Sequence, residues 1–420
     1  MATTHSADVI VVGGGIGGLT AALSLHAAGI EPLVLESARE IRPLGVGINL
    51  QPAAVRELDE LGLLDELAAL GVPAVEHAFA DHRGRTLFGE ARGTAAGYNW
   101  PQYSVHRGEL QMMLRDAVVE RLGPEALRTG VQAEDFEETE DGVRVHAVDR
   151  STGGPLGFSA EALIAADGIH STLRGLLHPG QGPLQWNGVT MWRGVTEADS
   201  FAPGNSVVIA ADDKNTQFVA YQISRAALDR GRTLVNWVCL VPTGEPGALG
   251  TDVNWNAPGT IEDLLPHYAD WHFDWTDLPE LFARSEQILE YPMVDRDPLP
   301  FWGRGRVTLL GDAAHPGYPS GANGGTQAII DARVLAYHLA VEPDVGKALA
   351  AYEAERREAT SAIVLANREM DRVGRNKSAA AGAPSGESIE KVTEAYRKAA
   401  GEAEKLNSRA SLTPPAAVRG

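Results

Sequence analysis

An α/β fold in two domains is predicted by three features of this 420-residue sequence. Near the N-terminus, "DVIVVGGGIGGLTAALSLHAAGIEPLVLE" joins two short apolar runs through a glycine cluster and a helical stretch, the pattern of a βαβ unit. Between about residues 182 and 291, strand-like runs crowd together and hold six of the eight tryptophans, which marks a second, sheet-rich region. Beyond residue 292 the α/β texture returns in "VTLLGD" and the long helical run "NGGTQAIIDARVLAYHLA". With 44% hydrophobic residues, the chain can fill more core than one compact domain needs.

In chain order, "DVIVV" is a buried strand, "GGGIGG" a turn, "LTAALSLHAAG" a helix ending on Gly29, and "PLVLE" a second strand. "RPLGVGINLQPAAVRELDELGLLDELAALG" reads as a loop followed by helical periodicity, and "HRGELQMMLRDAVVERLG" as an amphipathic helix. "GVRVHAV" and "LGFSAEALIAADG" alternate as strands do, and so do "GVTMWRGV", "SVVIA", "QFVAYQIS" and "TLVNWVCLV". The division that follows gives 1–75, 101–181 and 292–375 to a discontinuous α/β domain, and 76–100 with 182–291 to a mostly antiparallel sheet domain. Residues 376–420, opening on "NKSAAAGAPSGES", read as a polar linker and a charged helical tail.

Lys and Arg number 36 against 56 Asp and Glu, a formal charge of −20 that repels phosphate backbones and argues against a nucleic-acid partner. The lone Cys239 has no disulfide partner within the chain and sits in an apolar run, which fits a reducing cytoplasm. The apolar stretch Val9–Ile30 imitates a membrane helix, but no Lys or Arg precedes Arg39 and five clustered glycines interrupt it. A soluble protein without a membrane partner is expected. No His and acid cluster has metal-ligand spacing, so no metal is expected.

Gly13, Gly15 and Gly18 form G-x-G-x-x-G between strand and helix, with Ile16 and Gly17 inside the motif and Glu36 closing the next strand. Gly13 permits the tight turn, Gly15 lets a pyrophosphate reach the helix N-terminus, Gly18 packs helix on strand, and Glu36 accepts from ribose hydroxyls. The plainer reading is an ordinary βα turn, which leaves strand, helix and acid together as coincidence. An acid in place of an arginine favours an unphosphorylated ribose, as in FAD or NAD. Two further signals follow: Asp167-Gly168 with Ser171 and Arg174, and Gly311-Asp312 at the end of "VTLLGD".

These three motifs, in this order, resemble the signature of the single-component FAD-dependent aromatic hydroxylases, and the resemblance runs from about Asp8 past Arg368. It implies that family's fold, a Rossmann-like FAD domain beside a substrate sheet. It implies that Asp312 accepts from the ribityl chain of FAD, that Gly321, Ala322 and Asn323 offer backbone N–H groups to the pyrimidine end of the flavin, and that Arg107 reaches back to the cofactor. Ser37, Gly47, Val131 and Asp167 join the cofactor contacts on the same basis. The Pro319 carbonyl is implied to face the reacting substrate, and Tyr318 to line the substrate side.

Trp192, Arg193 and Tyr221 sit in strand-like runs, and His315, a catalytic candidate together with Pro319, follows the Gly-Asp motif; an aromatic wall with one cation suits a planar anionic ring. Each has a blander reading: Trp192 as core, Arg193 paired with an acid, His315 satisfied locally, Arg107 in solvent, Arg174 structural, and Asp312 a turn cap.

The implied activity is hydroxylation of an aromatic ring by NADH or NADPH and molecular oxygen through a flavin hydroperoxide. "EIRPLGVGINLQPAAV", "PQYSVHRGELQM", "YPMVDRDPLP" and "GANGGTQAI" are most similar to phenazine-modifying members, which implies a carboxylated phenazine-like substrate and decarboxylation alongside hydroxylation. "HPGYPSGANGG" departs from the pattern, with a glycine and a serine where bulkier apolar side chains are expected. Family habit implies a homodimer. Flavin-dependent halogenation lacks its W-x-W-x-I-P run, dithiol reduction lacks a cysteine pair, and Baeyer–Villiger oxidation lacks a second dinucleotide fingerprint. A flavin-binding module without turnover is the remaining alternative.

Overall fold

The first apolar run, Thr4–Val12, forms the centre of a seven-stranded sheet in this computed structural model, which describes residues 4–249, 257–319, 321, 323–379 and 403–414. It pairs in parallel with Pro32–Glu36 on one side and with Pro155–Ala165 on the other. Leu127–Thr129 and Val307–Leu309 extend the parallel pairing outward. Val143–Asp149 and Val131–Glu138 complete the sheet in antiparallel fashion. The central strands are buried, and helices Ile16–Ala27 and Gly324–Val341 pack against each other in the same core, which explains the strands' unbroken Val, Ile and Leu content.

Register then brings the motifs together. Val12 pairs with both Leu35 and Ala165, and Ala165 pairs with Leu309. The next residues of the four strands, Gly13, Glu36, Ala166 and Leu310, therefore leave the sheet at one edge. That edge is the carboxyl end of the parallel strands, where open α/β sheets place their ligands.

A second sheet of nine strands runs from Ala257–Pro258 through Ile288–Asp295, Gln185–Ala198, Thr233–Pro242, Gln217–Gln222, Ser206–Ala211 and Glu76–Asp81 to Thr86–Ala91. Gly247–Ala248 adds to it at Gln185–Ala198. One face packs Trp192, Phe218, Trp237, Cys239 and Phe282 into a core of its own. The opposite face carries Tyr221 and Val207, and Tyr318 packs there against Val189 and Met293. A three-stranded sheet, Gly47–Leu50, Gln102–His106 and Val72–Ala74, lies beside that second face.

Two expectations change. The helical stretch after "RPLGVGINLQ" divides into Pro52–Glu60 and Leu64–Leu70, because Gly62 takes φ +67° and turns the chain between them. The helix Val345–Ala379 runs past residue 376, where a linker was expected to open, and the rest of that expected linker up to residue 402 lies outside the described residues. Farther on, Ala403–Ser408 is helical, and the segment to residue 414 lies against the first domain. Among the described residues no helix is long and apolar enough to cross a membrane.

Candidate active site

The glycine turn shows which of its members the backbone itself requires. Gly13 has φ +110°, and a Cβ there would lie 2.4 Å from the Ala166 carbonyl oxygen. A Cβ on Gly18 would lie 1.9 Å from the Gly13 carbonyl oxygen, and one on Gly17 2.8 Å from Leu310. Gly15 differs: no protein atom lies within 4 Å of its Cβ position. The bare side of Gly15 thus opens outward at the N-terminus of Ile16–Ala27, a helix whose N-cap makes no side-chain hydrogen bond. Free N–H donors and open space together fit a pyrophosphate.

Glu36 lies beside this turn, its Oε2 accepting from Gly14 N at 2.6 Å and its Oε1 from Ala38 N at 2.6 Å and Ser37 Oγ at 3.3 Å. Gln111, on the helix Arg107–Leu122, donates to the Gly14 carbonyl at 2.7 Å and holds the turn from the other side. Val131 is buried next to this corner, where Gly130 N donates to Ala38 O at 2.8 Å. Asp167 caps the short helix Thr172–Leu177 through Oδ2, accepting from Thr172 N at 3.0 Å, while its buried Oδ1 has no partner among the described residues. Burial raises its carboxyl above the ordinary range.

Among the described residues Arg174 meets no carboxylate. Its Nη1 donates to the carbonyls of Ala313 at 2.9 Å and Ala314 at 3.0 Å, so the Asp-Gly motif grips the Gly-Asp motif. Burial, with Arg296 nearby, pushes this guanidinium down to about 10.

Asp312 is reached by solvent but enclosed on several sides by protein, and desolvation raises its carboxyl, offset in part by the charges of His315 and Arg107. Its Oδ1 lies 3.9 Å from the Cβ position of Gly324, the first residue of Gly324–Val341, so the acid faces that helix N-terminus. Arg107 is exposed and presents Nη1 near Gly45, on the same cleft. Gly321 has φ +69°, and the buried Nδ2 of Asn323 has no partner among the described residues. Ala322 lies outside the described residues. Pro319 is exposed.

His315, expected to be catalytic, is held by Asp331: its Nε2 lies 2.6 Å from Asp331 Oδ2, with Trp302 tilted against the ring. Asp331 also accepts from Gly311 N at 3.2 Å and from Arg356 Nε at 2.7 Å. Burial alone would raise this acid, but the His315 and Arg356 charges outweigh it and hold the carboxyl below its usual value. Asp331 went unnoticed in the sequence, though an acid inside the apolar "TQAIIDARVLA" was the available signal. Gln51 was missed too: its side chain donates to Gly321 O at 3.0 Å and its N–H to Thr326 Oγ1 at 3.1 Å.

On the large sheet, Arg193 and Tyr221 converge on one atom. Arg193 Nη2 donates to the Gly47 carbonyl at 2.7 Å and Tyr221 OH donates to it at 3.0 Å, while Gly47 N donates to Asn236 Oδ1 at 2.7 Å. The Nε of Arg193 is buried without a partner among the described residues. Trp192 does not join them. Adjacent strand residues point to opposite faces, so Trp192 enters the core beyond the sheet, where its Nε1 donates to Glu290 at 3.0 Å. Across the strands, Arg193 lies in register with Leu289 and Val238, and Val238 with Val219, giving the cation an apolar surround.

A family model described as an FAD binding domain matches residues 6–367. The phenazine 1,6-dicarboxylic acid hydroxylase PhzS of Lysobacter antibioticus is 54% identical over 373 residues, 88% of this chain and 91% of that protein. The FAD-dependent urate hydroxylase of Klebsiella pneumoniae is 31% identical over 380 residues, 86% of this chain and 88% of that one. A crystal structure of Klebsiella pneumoniae HpxO complexed with FAD and uric acid superposes with a TM-score of 0.72 at 26% identity, covering 96% of this chain and 93% of that one. The chain belongs to the FAD-binding-domain family and is an FAD-dependent aromatic monooxygenase.

Proposed function

We propose that this enzyme hydroxylates a planar, carboxylated heteroaromatic ring of the phenazine class, consuming molecular oxygen and NADH or NADPH. The carrying observation is Arg193: a cation on an apolar sheet face, bonded to a carbonyl and, among the described residues, to no carboxylate. Its charge remains to be balanced, and a substrate carboxylate would balance it. The similarity to a hydroxylase named for a phenazine dicarboxylic acid supports the same ring class.

FAD, when bound, supplies the redox and oxygen-activating chemistry. The parallel-sheet edge is proposed to hold it: Gly15 and the Ile16 helix N-terminus at the pyrophosphate, Glu36, Ser37 and Val131 at the ribose and adenine end, and Asp312 at the ribityl hydroxyls. Gly321, Asn323 and the Gly324 helix N-terminus favour negative charge at the pyrimidine end. Asp167 and Arg107 hold the groove between. The larger sheet is proposed to hold substrate, with Arg193 orienting its carboxylate and Tyr221 and Tyr318 walling the ring. Apolar neighbours Val219, Val238 and Leu289 exclude water, which strengthens each polar contact made there. Pro319 fixes the opposite wall through its restricted φ. His315 is proposed to act through Asp331, keeping the Asp312 turn in place.

Arg193→Met tests this reading. Gly47 O keeps its bond from Tyr221, so flavin content should stay at the wild-type level. A charge-assisted hydrogen bond contributes about 1.5–3 kcal/mol, so KM for an aromatic carboxylate should rise roughly tenfold or more. An unchanged substrate Kd together with a lower Tm would assign Arg193 to structure alone.

A further inference from the structure

The segment 403–414 lies beyond the residues matched by the family model, yet it closes a buried charge network. Glu57 is 0% exposed and Arg333 1%, and these two face each other between helices Pro52–Glu60 and Gly324–Val341. Arg409 pairs with the second oxygen of Glu57. Arg56, which also pairs with Glu60 at 3.1 Å, donates to the carbonyls of Arg409 at 2.7 Å and Ala410 at 3.0 Å. Glu60 accepts from Ser411 Oγ at 2.8 Å and Leu412 N at 3.2 Å, and Arg333 Nη2 donates to Thr413 Oγ1 at 2.9 Å. Asn407 holds Asn99 N and Gly97 O, each at 2.9 Å. Burial beside Arg56 pushes the Arg409 guanidinium down to about 10.

The other end of the same helix reaches the flavin side of the cleft. Gln51, the N-cap of Pro52–Glu60, binds Gly321 O and Thr326 Oγ1. The helix is nine residues long, about 13 Å of rigid backbone. Helices Pro52–Glu60 and Gly324–Val341 are thus tied twice, by Gln51 at the flavin end and by Glu57 and Glu60 at the end covered by the segment. A buried carboxylate that loses one of two cations becomes undercompensated, and uncovering it admits water to the remaining pair.

We propose that Arg409, with the 403–414 segment that carries it, is a positioning residue for the flavin site, acting through Glu57 and the Pro52–Glu60 helix on Gln51. The proposal rests on FAD binding at the parallel-sheet edge. It is tested by titrating apoprotein with FAD, at a temperature where circular dichroism shows every variant folded. Arg409→Met and a chain ending at residue 402 should both raise the FAD Kd roughly threefold or more, the size expected for coupling through a packed network. Arg409→Lys should recover part of the loss, because one charge-assisted bond to Glu57 remains. Combined with Gln51→Ala, the effect of Arg409→Met should be less than additive. Wild-type FAD Kd in the shortened chain, or strict additivity with Gln51→Ala, would overturn the proposal. Failure of the wild-type apoprotein to bind FAD would instead refute the flavin site itself.

Discussion

Gly18→Val is expected to yield protein without bound flavin. The first carbon of any side chain there would sit 1.9 Å from the Gly13 carbonyl oxygen, and that obstruction is backbone, which has no rotamer to change. Overpacking ordinarily costs about 1–3 kcal/mol when side chains give way. Here the turn itself must open, and Gly13 is already pressed against Ala166. The helix Ile16–Ala27 would tilt from the sheet, carrying the anion-binding N-terminus with it. Gly15→Ala is the matched control, since its Cβ meets no protein atom within 4 Å. It should fold with wild-type Tm and lose FAD affinity alone. Flavin absorbance and thermal melts of both purified variants check this, and full flavin occupancy in Gly18→Val would refute it.

Asp312→Ala should fold and emerge largely flavin-free. The acid lies in the cleft between the Arg107 charge and the Gly324 helix start, with no role in the sheet core. Loss of a carboxylate acceptor from ribityl hydroxyls should cost about 1–3 kcal/mol, roughly tenfold or more in FAD Kd. The residue is exposed, so its replacement should leave Tm of the apoprotein unchanged. Wild-type flavin occupancy at micromolar protein would show that Asp312 serves the turn and not the cofactor.

The glycine turn was legible because its glycines answer local backbone demands. Gly13 and Gly18 are glycine since nothing else fits, and Gly15 is glycine although the protein leaves room, a difference set by tertiary packing. The parallel register that gathers Gly13, Glu36, Ala166 and Leu310 was implicit in four short apolar runs. The substrate side was less legible. Trp192 and Arg193 are neighbours in sequence, and strand alternation alone separates them onto opposite faces. Asp331 and Gln51 make contacts set by tertiary packing of helices, which periodicity does not encode. The Glu57–Arg409 pair spans 352 residues and left no local trace at either end.

Oxygen incorporation tests the central claim most directly. The holoenzyme is supplied with NADH or NADPH, isotopically labelled dioxygen and a panel of carboxylated phenazines, quinolines and benzoates. One labelled oxygen atom per reduced nicotinamide consumed should appear in a hydroxylated ring, with a phenazine carboxylate the best substrate and the Arg193→Met enzyme impaired at low substrate concentration. Nicotinamide oxidation that yields only hydrogen peroxide, with no labelled hydroxyl on any ring of the panel, would contradict it.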